Sequence, residues 1–142
     1  MRNDYKIILD IIPNGSKVLD IGCSSGELLT LLNTKDEVHT QGVEINQEEV
    51  VKCLEDGLDV VQGDINQILE DFPHNQFDYC ILTQTIQTVN APDKLLNLLK
   101  KVGKNIIISF DNSNYYKKVF NFSVRGSFDN LLEKSEGDQW FN

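Results

Sequence analysis

The sequence predicts an α/β protein with a doubly wound, mostly parallel sheet, and three observations support this prediction. A short apolar run over residues 18–21 leads into a turn with glycines at 22 and 26, and then into an apolar segment typical of a helix. Further β-prone runs alternate with helix-like segments as far as residue 110, which favours right-handed βαβ crossovers. Acidic residues end three of the predicted strands, and ligands bind at that edge of open α/β sheets.

The first half of the chain opens with an apolar-rich helix that a Pro-Asn-Gly-Ser turn ends. The first strand, the turn with its two glycines and a second helix follow. The run V-H-T-Q-G-V-E-I gives the second strand. Asn46 then starts a capping box with Glu49 at the third helical position, and Gly57 is placed to end that helix. We therefore predict a helix over 4–12, a strand over 18–21, a helix over 27–34, a strand over 38–45 and a helix over 46–56.

The second half continues the alternation. The apolar, β-prone runs are bounded by turn residues, and Pro92 suits the first turn of a helix that stops at Gly103. The predicted elements are a strand over 58–63, a short helical turn over 66–72, a strand over 77–83, a helix over 93–102 and a strand over 104–110. Beyond residue 110 the aromatic residues at 115, 116, 120 and 122 favour a helix, which Arg125-Gly126 ends, and residues 126–142 form an acidic tail that we leave unassigned.

Composition narrows the class of protein. The 142 residues predict one domain, 1–142, and a net charge of −9 argues against a nucleic acid partner. No apolar run is long enough to span a bilayer, and the first residues do not resemble a signal peptide. Three widely spaced cysteines without a C-x-x-C pair fit reduced thiols in the cytoplasm, and two isolated histidines predict no metal site. We therefore expect a cytoplasmic protein without a membrane partner.

The charge around the turn indicates which nucleotide it would hold. A dinucleotide brings a pyrophosphate, yet Asp20 stands two residues before Gly22, and Ser24 occupies the position of a middle glycine. S-adenosylmethionine (SAM) suits a nearby carboxylate because it carries an ammonium and a sulfonium, while its own carboxylate suits the helix start. The alternative is a plain strand-to-helix turn, since isolated glycine-rich turns are weak signals.

The acids at the strand ends fit parts of SAM. Glu44 follows Gly22 by 22 residues, the distance at which a carboxylate can accept from a ribose diol. Asp64 can accept from the adenine amino group while the N–H of Ile65 donates to the ring, and Asp20 lies nearest the ammonium. Loops are often acidic without any such role. A nicotinamide dinucleotide would explain Glu44 but neither of the other two acids.

The motifs V-L-D-I-G-C-S-S-G, G-V-E-I and G-D-I resemble the first three SAM-binding motifs of class I methyltransferases. More narrowly, the opening R-N-D-Y-K-I-I-L-D-I-I-P-N-G-S-K-V-L-D-I-G-C and the run F-D-Y-C-I-L-T-Q-T-I-Q-T-V resemble MetW-type methionine biosynthesis proteins. The resemblance implies a Rossmann-like class I methyltransferase fold, SAM or S-adenosylhomocysteine (SAH) binding, and partnership with a homoserine O-acyltransferase. The cofactor-binding residues would be Asp20, Gly22, Cys23, Ser24, Gly26, Glu44, Ile45, Asp64, Ile65, Thr83 and Gln84.

Two features depart from that pattern. Ser24 replaces the usual middle glycine of the turn, and nothing after Phe110 predicts the C-terminal antiparallel hairpin of the full class I sheet. The ending Q-W-F-N resembles a place where relatives continue. One interpretation is therefore that the chain is truncated and that its sheet is shortened by the missing hairpin.

Three functions stay open at this point. The first is a small-molecule methyltransferase, although Thr83, Gln84 and Thr85 at the end of the fourth strand include no good general base. The second is a non-catalytic partner of a homoserine O-acyltransferase that senses SAM or SAH. The third is a nicotinamide-dinucleotide binder. No catalytic residue is assigned from the sequence.

Overall fold

One sheet of six strands organises the molecule. The computed structural model describes residues 2–83, 91–111 and 117–123. The strands are β1 (Lys17–Ile21), β2 (His39–Glu44), β3 (Val60–Gln62), β4 (Phe77–Thr83), β5 (Gly103–Asp111) and β6 (Lys117–Ser123). Their order across the sheet is β3-β2-β1-β4-β5-β6. Strands β1 to β5 are parallel to one another, and β6 is antiparallel to β5.

Helices cover both faces of this sheet. They are α1 (Asn3–Ile11), α2 (Glu27–Leu32), α3 (Gln47–Glu55), α4 (Ile65–Ile68), which a 3₁₀ turn (Leu69–Asp71) extends, and α5 (Pro92–Val102). In the part of the chain that the structure describes, no helix has the length and apolarity that a membrane span requires.

The alternation of side chains along β1 divides the core in two. Leu19 packs with residues of α5 such as Leu95 and Leu99 on one face, whereas Val18 packs with Ile8 of α1 and α2 residues on the other. A smaller cluster joins α2, α3 and β3. Each fully buried aliphatic side chain contributes about 1.5–3 kcal/mol, so burial of both faces fixes the sheet whose edge carries the site.

Local signals near β2 act as predicted, with one difference. Asn46 caps α3, because its side chain accepts from the backbone N–H groups of Glu48 and Glu49. Gly57 follows the helix with a φ of +76°. In the predicted capping box, the Glu49 side chain would accept from the backbone N–H of Asn46. In the structure this N–H donates to Glu44 instead. The same carboxylate therefore takes part in folding this loop and in the site described below.

The mostly parallel α/β sheet predicted from the sequence is confirmed, but the helix predicted beyond residue 110 was wrong over residues 117–123. The predicted aromatic helix is strand β6, which places Phe120 opposite Ile108 and Phe122 opposite Ile106. Pairing satisfies the backbone groups along the exposed edge of β5, a gain that helical periodicity cannot reveal. The sheet thus has one antiparallel strand that the sequence did not predict. Residues 124–142, with the unassigned tail, lie outside the described residues.

Candidate functional site

The register of the parallel strands brings the predicted site residues to one edge of the sheet. Ile21 at the end of β1 pairs with Val43 and with Leu82, so the residues that follow these three lie at the same level. They are Gly22, Glu44 and Thr83. Asp20 lies one level inside the sheet, on the same face as Glu44, because side chains alternate along a strand. Four of the predicted residues are therefore brought together by the first, second and fourth strands.

The turn after β1 has an unusual backbone. Gly22, Ser24 and Gly26 all adopt positive φ, at +72°, +51° and +83°. The N–H groups of Gly22 and Cys23 both donate to the carbonyl of Val43, over 2.8 and 3.1 Å. Ser24 is the costly member of this set, because a side chain disfavours the left-handed region. The turn is thus bound to β2 through its backbone, and it needs a further contact to hold Ser24.

Glu44 supplies that contact. Glu44 is nearly buried, with 9% of the residue exposed. One oxygen, Oε2, accepts from the N–H of Ser24 over 2.8 Å, and the other, Oε1, accepts from the N–H of Asn46 over 3.0 Å. A carboxylate offers about four lone-pair sites, so each oxygen keeps capacity for another donor. The side chain therefore has a fixed position and orientation at the edge where a diol could approach it.

Asp20 lies beside Glu44 and is more deeply buried. It is 1% exposed, and its Oδ1 has no hydrogen-bond partner among the described residues. Burial, the largest cause, and the neighbouring Glu44 carboxylate together raise the pKa of Asp20 to about 7, although Arg2 acts to lower it. A buried acid with an unpaired oxygen is costly unless a partner arrives. This is the strongest single indication of a ligand position in the described structure.

Sequence reasoning missed the polar residues at the start of α1 and just before it. The Arg2 side chain donates to both carboxylate oxygens of Asp4 and to the Tyr5 hydroxyl, and it lies over the Tyr5 ring at 4.4 Å. Asp4 is fully buried and accepts from the Ser109 hydroxyl of β5 over 3.3 Å. Burial is the main cause that raises the pKa of Tyr5 to about 12; Arg2 acts to lower it, and Asp20 is among the acids that contribute to the rise. The sequence signal that could have revealed this group is Asp4, an acid within an apolar-rich helix.

Cys23 and Gly26 belong to the packing beneath the turn. The Cys23 side chain lies in the apolar cluster with Cys53 and Leu58, and burial is the main cause that raises the pKa of its thiol. A Cβ on Gly26 would lie 2.3 Å from Leu58 Cδ1. Cys23 can therefore contact a ligand through its backbone, while Gly26 is required by backbone conformation and close packing.

The third predicted acid lies at the start of α4. Asp64 is half-buried and caps this helix, since its Oδ1 accepts from the N–H of Asn66 over 2.9 Å. Ile65 is the first helical residue and packs partly against the core. Ile45, next to Glu44, is 65% exposed. An apolar surface and a capped helix start thus lie beyond the ends of β2 and β3.

The remaining predicted residues are Thr83 and Gln84. Thr83 ends β4, is half-buried and pairs with Ser109, whereas Gln84 lies outside the described residues. Across residues 2–83, 91–111 and 117–123, no group of three His, Cys, Asp or Glu side chains is placed to hold a metal ion.

Comparisons with known proteins extend this geometry. The model of the family described as "Methionine biosynthesis protein MetW" matches residues 2–142. A bifunctional methionine biosynthesis protein MetXA/MetW from Rhodopirellula baltica is 41% identical over 120 residues, which are 79% of this chain and 19% of that protein. A carboxy-S-adenosyl-L-methionine synthase from Campylobacter concisus is 30% identical over 101 residues, or 68% of this chain and 42% of that protein. The chain spans less than half the length of these curated relatives.

A solved structure gives the same fold. The SAM-dependent methyltransferase from Archaeoglobus fulgidus is 25% identical and superposes with a TM-score of 0.71, covering 78% of this chain and 51% of that one. The Rossmann-like class I methyltransferase fold expected from the sequence is therefore confirmed.

Proposed function

We propose, from the premise that the chain belongs to the MetW family of methionine biosynthesis proteins and has a methyltransferase-like fold, that it binds SAM or SAH. The binding site is the edge formed by the carboxyl ends of β1, β2 and β3. The observation that carries the proposal is the pair of buried acidic residues, Asp20 and Glu44, beside the turn that Glu44 binds through the N–H of Ser24.

Each part of the ligand has a complementary group at this edge. Glu44 would accept from the ribose hydroxyls with its remaining lone pairs. Asp64 would accept from the adenine amino group, the N–H of Ile65 would donate to the ring, and Ile45 offers an exposed apolar surface beside it. These roles use groups from the ends of two neighbouring strands, β2 and β3, as expected for a nucleotide in an open α/β sheet.

The methionine end would lie nearer the turn. Among the described residues, Oδ1 of Asp20 has no hydrogen-bond partner, and such an oxygen suits the ammonium group. The backbone of Gly22, Cys23, Ser24 and Gly26 forms the surrounding wall, and Thr83 and Gln84 would face the methyl group.

Charge supports SAM over a nicotinamide dinucleotide. A pyrophosphate brought against the turn would lie close to two acids, Asp20 and Glu44, whose mutual influence is already unfavourable. A ligand with an ammonium group relieves this repulsion. Binding of a nicotinamide dinucleotide is therefore the least supported of the three functions.

Within this family two activities compete. As a small-molecule methyltransferase the protein would position a nucleophile for in-line displacement, with Thr83 and Gln84 at the methyl end, though neither is a good general base. As a partner that senses SAM or SAH, it would act on a homoserine O-acyltransferase. The relative that carries MetXA and MetW in one chain favours the second activity, which we keep as the alternative proposal. The three cysteines, free and buried, support a cytoplasmic location.

Thermal unfolding with added ligands tests the site. SAM and SAH should raise the melting temperature in a concentration-dependent way, and NAD should not; a shift with NAD alone would contradict the proposal. Co-purification with the acyltransferase, and loss of its activity without this protein, would support the partner activity. Turnover in a screen of small-molecule acceptors would support the methyltransferase instead.

A further inference from the structure

The buried carboxyl of Asp20 has an unusual setting. It lies in the middle layer of the fold, on the face of β1 that α1 and α2 cover, with 1% exposure and one oxygen without a partner among the described residues. An ionised carboxylate in such a place loses its hydration without compensation. The ionised form therefore needs a cation or a donor that the described structure does not supply to Oδ1.

The groups around Asp20 make its charge balance negative. From β2 comes Glu44, and from the turn comes Cys23, whose thiol is neutral because burial and Asp20 raise its pKa. From α1 comes Tyr5, and from the residue before this helix comes Arg2, which is paired with Asp4 over 2.7 Å. Glu27 of α2 contributes to the raised pKa of Tyr5.

The strand on the other side adds no charge near Asp20. Its partner residue on β4 is Ile81, and the segment 84–90 after that strand reads Q-T-I-Q-T-V-N, without an ionisable side chain. Within the described ranges the guanidinium of Arg2 is thus the one cation that acts on Asp20, and it is also hydrogen-bonded to Asp4.

We propose that Asp20 holds a proton when no ligand is bound, and that it releases this proton to solvent when an ammonium group binds beside it. This inference rests on the proposed function and adds proton linkage and ligand selection to it. The carboxyl O–H bond breaks and the proton passes to water or buffer, and the ligand's ammonium replaces it as the partner of Oδ1. Burial and the repulsion from Glu44 place the pKa of this acid near neutrality.

Ligand choice follows from the exchange. SAM and SAH both carry the α-ammonium and should release the proton, whereas 5′-methylthioadenosine has the same adenosyl thioether without it and should not. Affinity for SAM and SAH should rise as pH increases toward 7, because fewer protons must then be displaced. Below pH 7 an α-ammonium group stays charged, so this rise belongs to the protein.

Calorimetric titration in two buffers with different ionisation enthalpies measures the released proton directly. At pH 6 we expect close to one proton per bound SAM or SAH, and about a tenfold rise in affinity between pH 5.5 and 7. Methylthioadenosine should release almost none. Asp20→Asn, which keeps the shape but cannot ionise, should abolish the release and flatten the pH profile. The matched control is Asp59→Asn at an exposed carboxylate, which should behave as wild type.

The outcomes separate this inference from the proposed function. SAM that binds without net proton release, or with equal release from Asp20→Asn, overturns the proton exchange and leaves the binding site standing. Equal release by methylthioadenosine overturns the assignment to the ammonium. No heat from SAM or SAH at any pH overturns both. Should Asp20→Asn fail to fold, the wild-type titrations with the three ligands still decide the matter.

Discussion

The backbone N–H of Ser24 donates to Glu44 Oε2 over 2.8 Å, and this bond joins the turn after β1 to the end of β2. Ser24 has a φ of +51°, a conformation that a serine rarely adopts without compensation. The carboxylate that would accept the ribose is therefore also the group that holds the turn in shape. Binding affinity and loop geometry are coupled through one side chain.

Replacing Glu44 tests this coupling. Glu44→Ala removes the acceptor for Ser24 and for the ligand, and it should weaken SAM binding by about 1–3 kcal/mol. Glu44→Gln keeps one acceptor oxygen and should lose less. Calorimetry gives both values, and Glu48→Ala, an exposed position on α3, is the matched control. Unchanged affinity in Glu44→Ala would remove this residue from the ribose.

Asp20 should make the ligand-free protein less stable as pH rises. Its folded pKa, about 7, lies above the ordinary value of 3.8. The stabilisation from the protonated form is thus fully present below pH 4 and is lost as pH rises toward 7, by about 1.4 kcal/mol per pH unit.

Denaturant unfolding at pH 5 and pH 8 measures this effect. Asp20→Asn should gain stability relative to wild type at pH 8 and gain less at pH 5, because asparagine stays neutral at both. The difference in the free energy of unfolding between Asp59→Asn and wild type should be the same at both pH values. Parallel stability curves for wild type and Asp20→Asn would show that Asp20 does not titrate in this range.

Gly26 is expected to be required for packing as well as for conformation. Gly26→Ala forces a left-handed alanine and brings its Cβ to 2.3 Å from Leu58 Cδ1. Gly57→Ala has a similar φ, and its Cβ would meet no atom of the described residues within 4 Å, so it isolates the conformational cost of about 1–2 kcal/mol. Unfolding measurements should show a further loss of about 1–3 kcal/mol in Gly26→Ala; equal losses would mean that α3 and the following loop move aside freely.

Asp64 should contribute to recognition of the adenine amino group. Asp64→Ala removes that acceptor and the cap of α4, the latter costing about 0.5–2 kcal/mol of stability. SAH and its inosine analogue, which has a carbonyl in place of the amino group, separate the two effects. Wild type should prefer the adenine form and Asp64→Ala should lose that preference. An equal loss of affinity for both ligands would indicate a structural role only.

Local patterns in the sequence were enough to predict the five parallel strands and the acids at their ends. Apolar periodicity and turn residues act over short distances, and parallel strands bring their carboxyl ends together. Asn46 and Gly57 behaved as their local signals indicated. Most of the architecture, and the candidate edge, could therefore be found without coordinates.

Long-range contacts decided the rest. The bond from Ser24 to Glu44 spans 20 residues and that from Ser109 to Asp4 spans 105, so no local pattern reports them. The packing of Gly26 against Leu58 depends on how α3 returns to the sheet. Strand β6 forms because β5 offers an edge to pair with, while its aromatic residues alone fitted a helix.

Titration of the full chain with SAM, SAH and NAD by isothermal calorimetry at pH 7 tests the central claim most directly. Two acids beside a backbone turn predict saturable one-site binding of SAM and SAH and no detectable binding of NAD. Binding of NAD in preference to SAM, or no heat from either adenosyl ligand, would contradict the account.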